Sequence, residues 1–213
     1  MRVAMIGATG LIGRSLAPRL AAAHDLLLIG RRPAGVAGAE ERIGAMSEWP
    51  ALLAGETIDV AISTLGTTWK QAGSWEAFRA VDVEAVLGFA RAARAAGAHQ
   101  FVSVSTVGAA AETRNQYLAL KGEVEHNLDA IGFDRLDLIR PGLLRGDRGG
   151  DRRIAERIAI AISPLANLLL RVPLDRFAAI DADRVAAAMA ALVGEAGDGR
   201  HIHFNRDLRR LAR

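Results

Sequence analysis

The chain has no cysteine, a single tyrosine and only two lysines in 213 residues. The first absence excludes disulfides, thiolate catalysis and cysteine-ligated metals. Histidine offers little in its place: of five, only His201 and His203 lie close together, in the strand-like "HIHFN", and no metal site is expected. Apolar runs long enough to cross a bilayer are missing, so no membrane span is expected. The opening "MRVAMIGATG" carries glycines where a secretory signal needs an unbroken apolar core, and a cytoplasmic location is the expectation. Strong charge bias is absent as well. The formal net charge is +3, with arginines scattered among acids. That pattern fits a solvated surface, and no nucleic-acid partner is expected.

The scarcity of lysine is informative because 25 of the 27 basic residues are arginine. An ammonium is a compact point charge and a guanidinium a broad planar fork. A lysine retained in such a chain marks a place that the fork does not suit, which draws attention to Lys70 and Lys121. Lys121 stands four residues after the only tyrosine, in "YLALK" (117 to 121).

What is present reads as one globular domain, 51% hydrophobic and 24% charged, over residues 1 to 213. Continuous apolar runs occur in "RVAMIG" (2 to 7), "DLLLIGR" (25 to 31), "DVAISTLG" (59 to 66), "QFVSVSTVG" (100 to 108) and "RLDLIRPG" (135 to 142). Helical patterns lie between them, over Leu11 to Ala23, Ser74 to Ala96 and Asn115 to Ile131, with "GAMSEWPALLAGE" supplying a short strand and helix. Strands that are apolar throughout are buried on both faces, and helices between them make right-handed crossovers. The fold class predicted is α/β, a Rossmann-type doubly wound parallel sheet. Beyond "RGDRGGDRR" (145 to 153), the segment Ile154 to Val172 contains Pro164 and reads as two short helices. Residues 147 to 180 would form a small helical segment covering a substrate pocket, or ordinary core or an oligomer contact. A last helix is expected over Asp183 to Val193, capped near Asp181.

"GATGLIG" places Gly7, Gly10 and Gly13 between the first strand and the first helix, where backbone amides can meet a pyrophosphate at the positive helix end. Gly7, Thr9, Gly10, Leu11, Ile12 and Gly13 are the candidate contacts. An NAD site wants an acid at the end of the second strand, whereas an NADP site has arginine there. The chain has "IGRRPAG", with Arg31 and Arg32 and no acid before Glu40, so NADP(H) is the expected cofactor. At the end of the fourth strand, Leu65, Gly66 and Thr67 should pass close to it, with Thr68 beside them.

Tyr117 and Lys121 share a helix face at i and i+4. A phenol is a poor acid at neutral pH, and a neighbouring cation makes it a usable one. The same ammonium can bind a nicotinamide ribose. Ser105, twelve residues before Tyr117 at the end of the fifth strand, is the candidate hydroxyl that steadies a carbonyl oxygen, with Thr106 and Ser103 as alternatives. Gly122 is out of place inside a helix, at a cost of about 1 kcal/mol relative to alanine, and implies a close approach by another element.

Together these stretches resemble the short-chain dehydrogenase/reductases of the atypical, extended-like branch, and within it the Tat-interacting-protein and oxidoreductase group. The resemblance runs along most of residues 1 to 146 and is carried by "GATGLIGRSL", "LIGRR", "STLGTTW", "AFRAVDVEAV", "YLALKGEVE" and "FDRLDLIRPGLL". It implies a Rossmann fold, NADP(H), a serine-tyrosine-lysine set at Ser105, Tyr117 and Lys121, and Pro141 and Gly142 beside the nicotinamide. The expected activity is NADPH-dependent reduction of a small carbonyl compound. The alternative is an NADPH-binding regulatory or sensor protein with little turnover. The long helices of residues 74 to 96 and 115 to 131 also suit pairing with a second copy of the chain.

Overall fold

Uninterrupted apolar strands demand cover on both faces, and the chain supplies it by alternating strand and helix. The computed structural model describes residues 1–67, 72–146 and 174–213. Its strands are β1 (Arg2–Ile6), β2 (Asp25–Gly30), β3 (Ala39–Ile43), β4 (Val60–Ser63), β5 (Gln100–Val104), β6 (Arg135–Ile139), β7 (Leu144–Arg145), β8 (Ile180–Asp181) and β9 (Gly199–His203). Its helices are α1 (Gly13–Ala23), α2 (Trp49–Leu52), α3 (Trp75–Arg79), α4 (Val86–Ala95), α5 (Gln116–Ala130), α6 (Ala182–Ala191) and α7 (Asn205–Leu211). Seven strands form one sheet in the order β3-β2-β1-β4-β5-β6-β9. Every pairing in it is parallel. β7 and β8 pair separately.

This is a single-domain Rossmann α/β fold. The order of the strands reverses between β1 and β4, and a ligand crevice opens at their C-terminal ends. Successive residues of β1 and β2 point to opposite faces. Ala4, Ile6, Leu27 and Ile29 join Phe78, Phe89 and Phe101 in one core. Val3, Met5, Leu26 and Leu28 join Leu16, Leu20, Val185 and Met189 in the other.

Three local expectations are corrected. The short strand lies upstream of "GAMSEWPALLAGE", at Ala39–Ile43, while that stretch forms a 3-10 turn (Met46–Glu48) and α2. β3 is an edge strand, and "AEERI" carries charges in place of an apolar run, which is how exposed edges resist mispairing. The helix expected over 74 to 96 is interrupted by a π-helical turn, Ala80–Ala85, between α3 and α4. Asp181 stands at the N-cap of α6 without a capping bond; its carboxylate lies 3.5 Å from Arg145. A further helix, α7, follows "HIHFN". The segment Ile154 to Val172 lies outside the described residues.

The arginine-rich surface is largely engaged in ion pairs. Arg2 reaches Asp25 and Glu40 at 2.6 Å, and Arg79 grips Glu123 at 2.7 and 2.9 Å, joining α3 to α5. Such partly exposed pairs contribute little each, about 0.2 to 1 kcal/mol. A buried cluster weighs more. Asp137 on β6 is fully buried and accepts bonds from Gln100 (2.8 Å), from Arg135 (2.8 and 2.9 Å) and from His203 (2.8 Å). Gln100 also donates to the Leu192 carbonyl and accepts from Gly194, which ties the end of α6 to the sheet.

Burial alone would raise the Asp137 carboxyl. The bonds from His203, Arg135 and Gln100, with the Arg135 charge, outweigh it and hold the group below its ordinary value. Because the folded value is depressed, the stabilisation is complete above about pH 4 and disappears as pH falls through the folded value. We expect Asp137→Asn to lose roughly 3 to 5 kcal/mol at neutral pH. Urea unfolding across pH should show a shallower acid limb in the variant than in the wild type.

Candidate functional site

Two cavities meet along the crevice. One, of about 380 Å³, is lined by Gly7, Arg31, Arg32, Glu41 and Trp49 among others. The second, of about 420 Å³, runs from Thr9, Gly10, Leu11 and Ile12 past Leu65, Gly66 and Thr67 to Ser105, Tyr117 and Lys121. Thr9, Arg32 and Leu65 line both.

The glycine loop is shaped by backbone contact. Gly7 has φ +86°, and a Cβ there would stand 2.7 Å from the backbone of Thr64 and Leu65. A Cβ at Gly13 would lie 2.2 Å from the Gly7 carbonyl oxygen. Side chains at either position would push β1, α1 and the β4 loop apart. α1 begins without a capping side chain and without an acid in its first turn. The Arg14 and Ser15 amides at its start donate to the Gly10 and Ile12 carbonyls. The loop, the helix end without a side-chain cap and the adjoining cavities fit a dinucleotide.

At the adenosine end, Arg31 and Arg32 are exposed at the mouth of the first cavity, and neither pairs with an acid among the described residues. The acid that the β2 end lacks arrives from β3. Glu41 accepts from the backbone N–H groups of Ala34 (2.8 Å), Gly35 (2.8 Å) and Val36 (3.1 Å), so its carboxylate orders the loop that follows the arginines.

α5 presents Tyr117, Lys121 and Glu125 on one face. Asn115 caps it by accepting from the Leu118 N–H at 3.1 Å, which puts Tyr117 in the first turn. The phenol ring is 41% exposed at the cavity and meets Phe78 edge-on, with centroids 6.0 Å apart. Lys121 is buried, and its Nζ lies 2.6 Å from Asp82 Oδ1 in an ion pair. Asp82 is fully buried in the π-helical turn, and its other oxygen accepts from the Thr67 N–H at 2.8 Å. One carboxylate thus fixes both the lysine and the loop across from it. An ammonium has three N–H groups, so this pairing leaves others for the crevice.

Of the three candidate hydroxyls, Ser105 lines the cavity with Tyr117 and Lys121, whereas Ser103 and Thr106 do not. Ser105 is held by its amide, which donates to the Ile139 carbonyl at 2.7 Å. Its Oγ stands 2.5 Å from Glu125 Oε1. Gly122 accounts for its own presence: a Cβ there would lie 2.2 Å from the Ala111 nitrogen, on the loop that joins β5 to α5. Pro141 and Gly142 line neither cavity. The Pro141 carbonyl accepts from Val107 and the Gly142 amide donates to Asn205 at 3.0 Å. Asp82, Glu125 and Glu41 escaped the sequence reading. Asp82 left a trace, an acid on the same helical stripe as Phe78 and Phe89.

A parallel sheet with a glycine loop at its switch point, faced by a tyrosine-lysine helix, defines an NAD(P)-binding protein of the extended short-chain dehydrogenase/reductase type. The model of the NAD dependent epimerase/dehydratase family matches residues 3–127, and the chain belongs to that family. "Protein FMP52, mitochondrial" of Coccidioides immitis is 31% identical over 236 residues, spanning 99% of this chain and 96% of its own length. "Protein FMP52-1, mitochondrial" of Scheffersomyces stipitis is 33% identical over 170 residues, 76% of this chain and 75% of its own. Two solved structures share the fold at low identity. MoeE5 in complex with UDP-glucose and NAD aligns with a TM-score of 0.69 at 16% identity, over 95% of this chain and 75% of that one. The NAD complex of the Thermus thermophilus UDP-glucose 4-epimerase aligns with a TM-score of 0.69 at 19% identity, over 99% and 81%.

These comparisons reach the broad family and not the narrower Tat-interacting-protein group that the order of motifs suggested. They also overturn the expected cytoplasmic location, because the curated relatives are named as mitochondrial proteins.

Two outcomes test the packing of this region. Lys121→Met leaves Asp82 buried without its cation and should cost about 3 to 5 kcal/mol, with much of the loss recovered when Asp82→Asn is added. Gly122→Ala should cost roughly 1 to 3 kcal/mol by crowding the Ala110–Ala111 backbone. Chemical unfolding of the three proteins beside the wild type measures both.

Proposed function

We propose that the protein is an NADP(H)-dependent oxidoreductase that reduces a small carbonyl compound. The observation that carries this reading is that Ser105, Tyr117 and Lys121 line one cavity with the glycine loop. The cofactor, when bound, supplies the hydride. Gly7 to Gly13 and the first turn of α1 hold its pyrophosphate, and Lys121 reaches its ribose with the N–H groups that Asp82 leaves unused. Tyr117 gives its proton to the carbonyl oxygen as negative charge develops there.

NADP(H) is preferred over NAD(H) in this reading because Arg31 and Arg32 are exposed at the mouth of the first cavity, where they would meet a 2′-phosphate, while the Glu41 carboxylate already accepts from three loop amides. The order of "LGTT", "KGEVE" and "RPG" supports the narrower likeness to the Tat-interacting-protein oxidoreductase group. One observation favours a second reading, that of a nucleotide-binding regulator: the Lys121 ammonium is already paired with a buried acid. Steady NADPH oxidation with a panel of aldehydes and quinones decides for the reductase. Tight binding without oxidation decides for the regulator.

Tyr117→Phe should abolish turnover and leave the NADPH dissociation constant nearly unchanged; retained turnover would refute the role. Replacing Arg31 and Arg32 together by alanine should weaken NADPH relative to NADH by roughly ten- to a hundredfold, as loss of charged hydrogen bonds predicts. Fluorescence titration with both nucleotides reads the ratio.

A further inference from the structure

Ser105 reaches the cavity with its one proton already committed. Its Oγ lies 2.5 Å from Glu125 Oε1, and Glu125 is 2% exposed. The same Oε1 accepts from Arg140 Nε at 2.8 Å, while Oε2 accepts from Arg140 Nη2 and, at 3.0 Å, from Arg200 Nη2. A carboxylate gripped by two guanidinium groups is an acceptor, and so the hydrogen between Ser105 and Glu125 is the serine's own. A hydroxyl has one donor and two lone pairs. What Ser105 offers the crevice is therefore lone pairs.

We propose that Ser105 acts as a hydrogen-bond acceptor for a hydroxyl group on the substrate, and that the substrate class is a carbonyl compound bearing a hydroxyl close to the carbonyl. This rests on the reading of the Ser105–Tyr117–Lys121 cavity as the substrate site. Tyr117 serves the carbonyl oxygen, and Ser105, in place of the carbonyl-steadying role expected from the sequence, reads the neighbouring hydroxyl. Glu125, with Arg140 and Arg200 behind it, is a positioning residue that fixes the direction of the serine bond. An unsubstituted ketone would leave the Ser105 lone pairs facing apolar substrate without a donor, a loss a buried polar group feels fully.

The direction of the bond is measured first, by carbon NMR of the wild-type protein in mixed H2O and D2O. A Ser105 proton donated to Glu125 exchanges slowly and should split the Ser105 Cβ signal, assigned by its loss in Ser105→Ala. A single averaged signal overturns the proposal. The substrate class is measured by calorimetric titration of the NADPH-loaded protein with 3-hydroxybutan-2-one and with butan-2-one. The hydroxyketone should bind about tenfold more tightly in the wild type, as one satisfied buried hydrogen bond predicts, and the ratio should fall towards one in Ser105→Ala. A merely structural role for Ser105 would weaken both ligands equally. Equal affinities in the wild type, no measurable binding of either compound, or a ratio unmoved in Ser105→Ala each overturn the substrate assignment. Failure of the reductase reading shows separately, as binding of the hydroxyketone without NADPH oxidation.

Discussion

Everything at the crevice hangs on the contact between Lys121 and Asp82. Taking two charges out of water is expensive, and a buried ion pair recovers that cost only when its surroundings hold it well. Here the surroundings are the π-helical turn under Asp82, the Thr67 amide on its other oxygen and the buried stem of Lys121. The pair adds little as a net stabiliser, yet neither member can be removed without stranding the other. Its value lies in placement. It holds α5, the turn between α3 and α4 and the loop after β4 in one arrangement, and those are three of the walls of the cavity.

A second layer of charge sits one helical turn further along α5. Glu125 repeats the logic of Asp82 with the signs of its neighbours arranged differently: two guanidinium groups behind, a serine hydroxyl in front. The result is a helix face that alternates phenol, ammonium and carboxylate at spacings of four residues, each with a partner outside the helix. The arginine preference of the chain supports this layer and stops short of the first one. A guanidinium suits Glu125, whose two oxygens accept as a fork, whereas the single Asp82 oxygen that faces α5 suits a point charge.

The sheet was legible because parallel strands buried on both faces are mostly apolar, and β1, β2, β4, β5 and β6 show such runs even with Gln100, Arg135 and Asp137 paired inside β5 and β6. β3 was misplaced because an edge strand answers to solvent, and its charged residues carry no periodic signal. The glycine loop could be read because its chemistry is backbone chemistry and shows as glycine. The tyrosine-lysine pair could be read because a fixed spacing on a helix is a fixed geometry. Asp82 and Glu125 could not, since each gains its role from a partner far along the chain, Lys121 and Ser105, and Glu41 could not because its partners are nearby loop amides that have no sequence signature. Gly122 lies between these cases. Its oddity was visible, and the object pressed against it was not.

The π-helical turn at Ala80–Ala85 has one more consequence. Its bonds run from residue i to i+5 where an α-helix would use i+4, so it contains one residue more than regular winding needs. The wider turn takes that residue up, so the stretches before and after it keep the faces they would have in a regular helix. Phe78 stays against Tyr117 and Arg79 against Glu123 on one side of the turn, while Val86 and Phe89 stay in the core on the other. What the extra residue adds is local, a widening of the backbone, and Asp82 stands in it. The carboxylate that meets Lys121 thus sits on a bulge that a chain one residue shorter would not have.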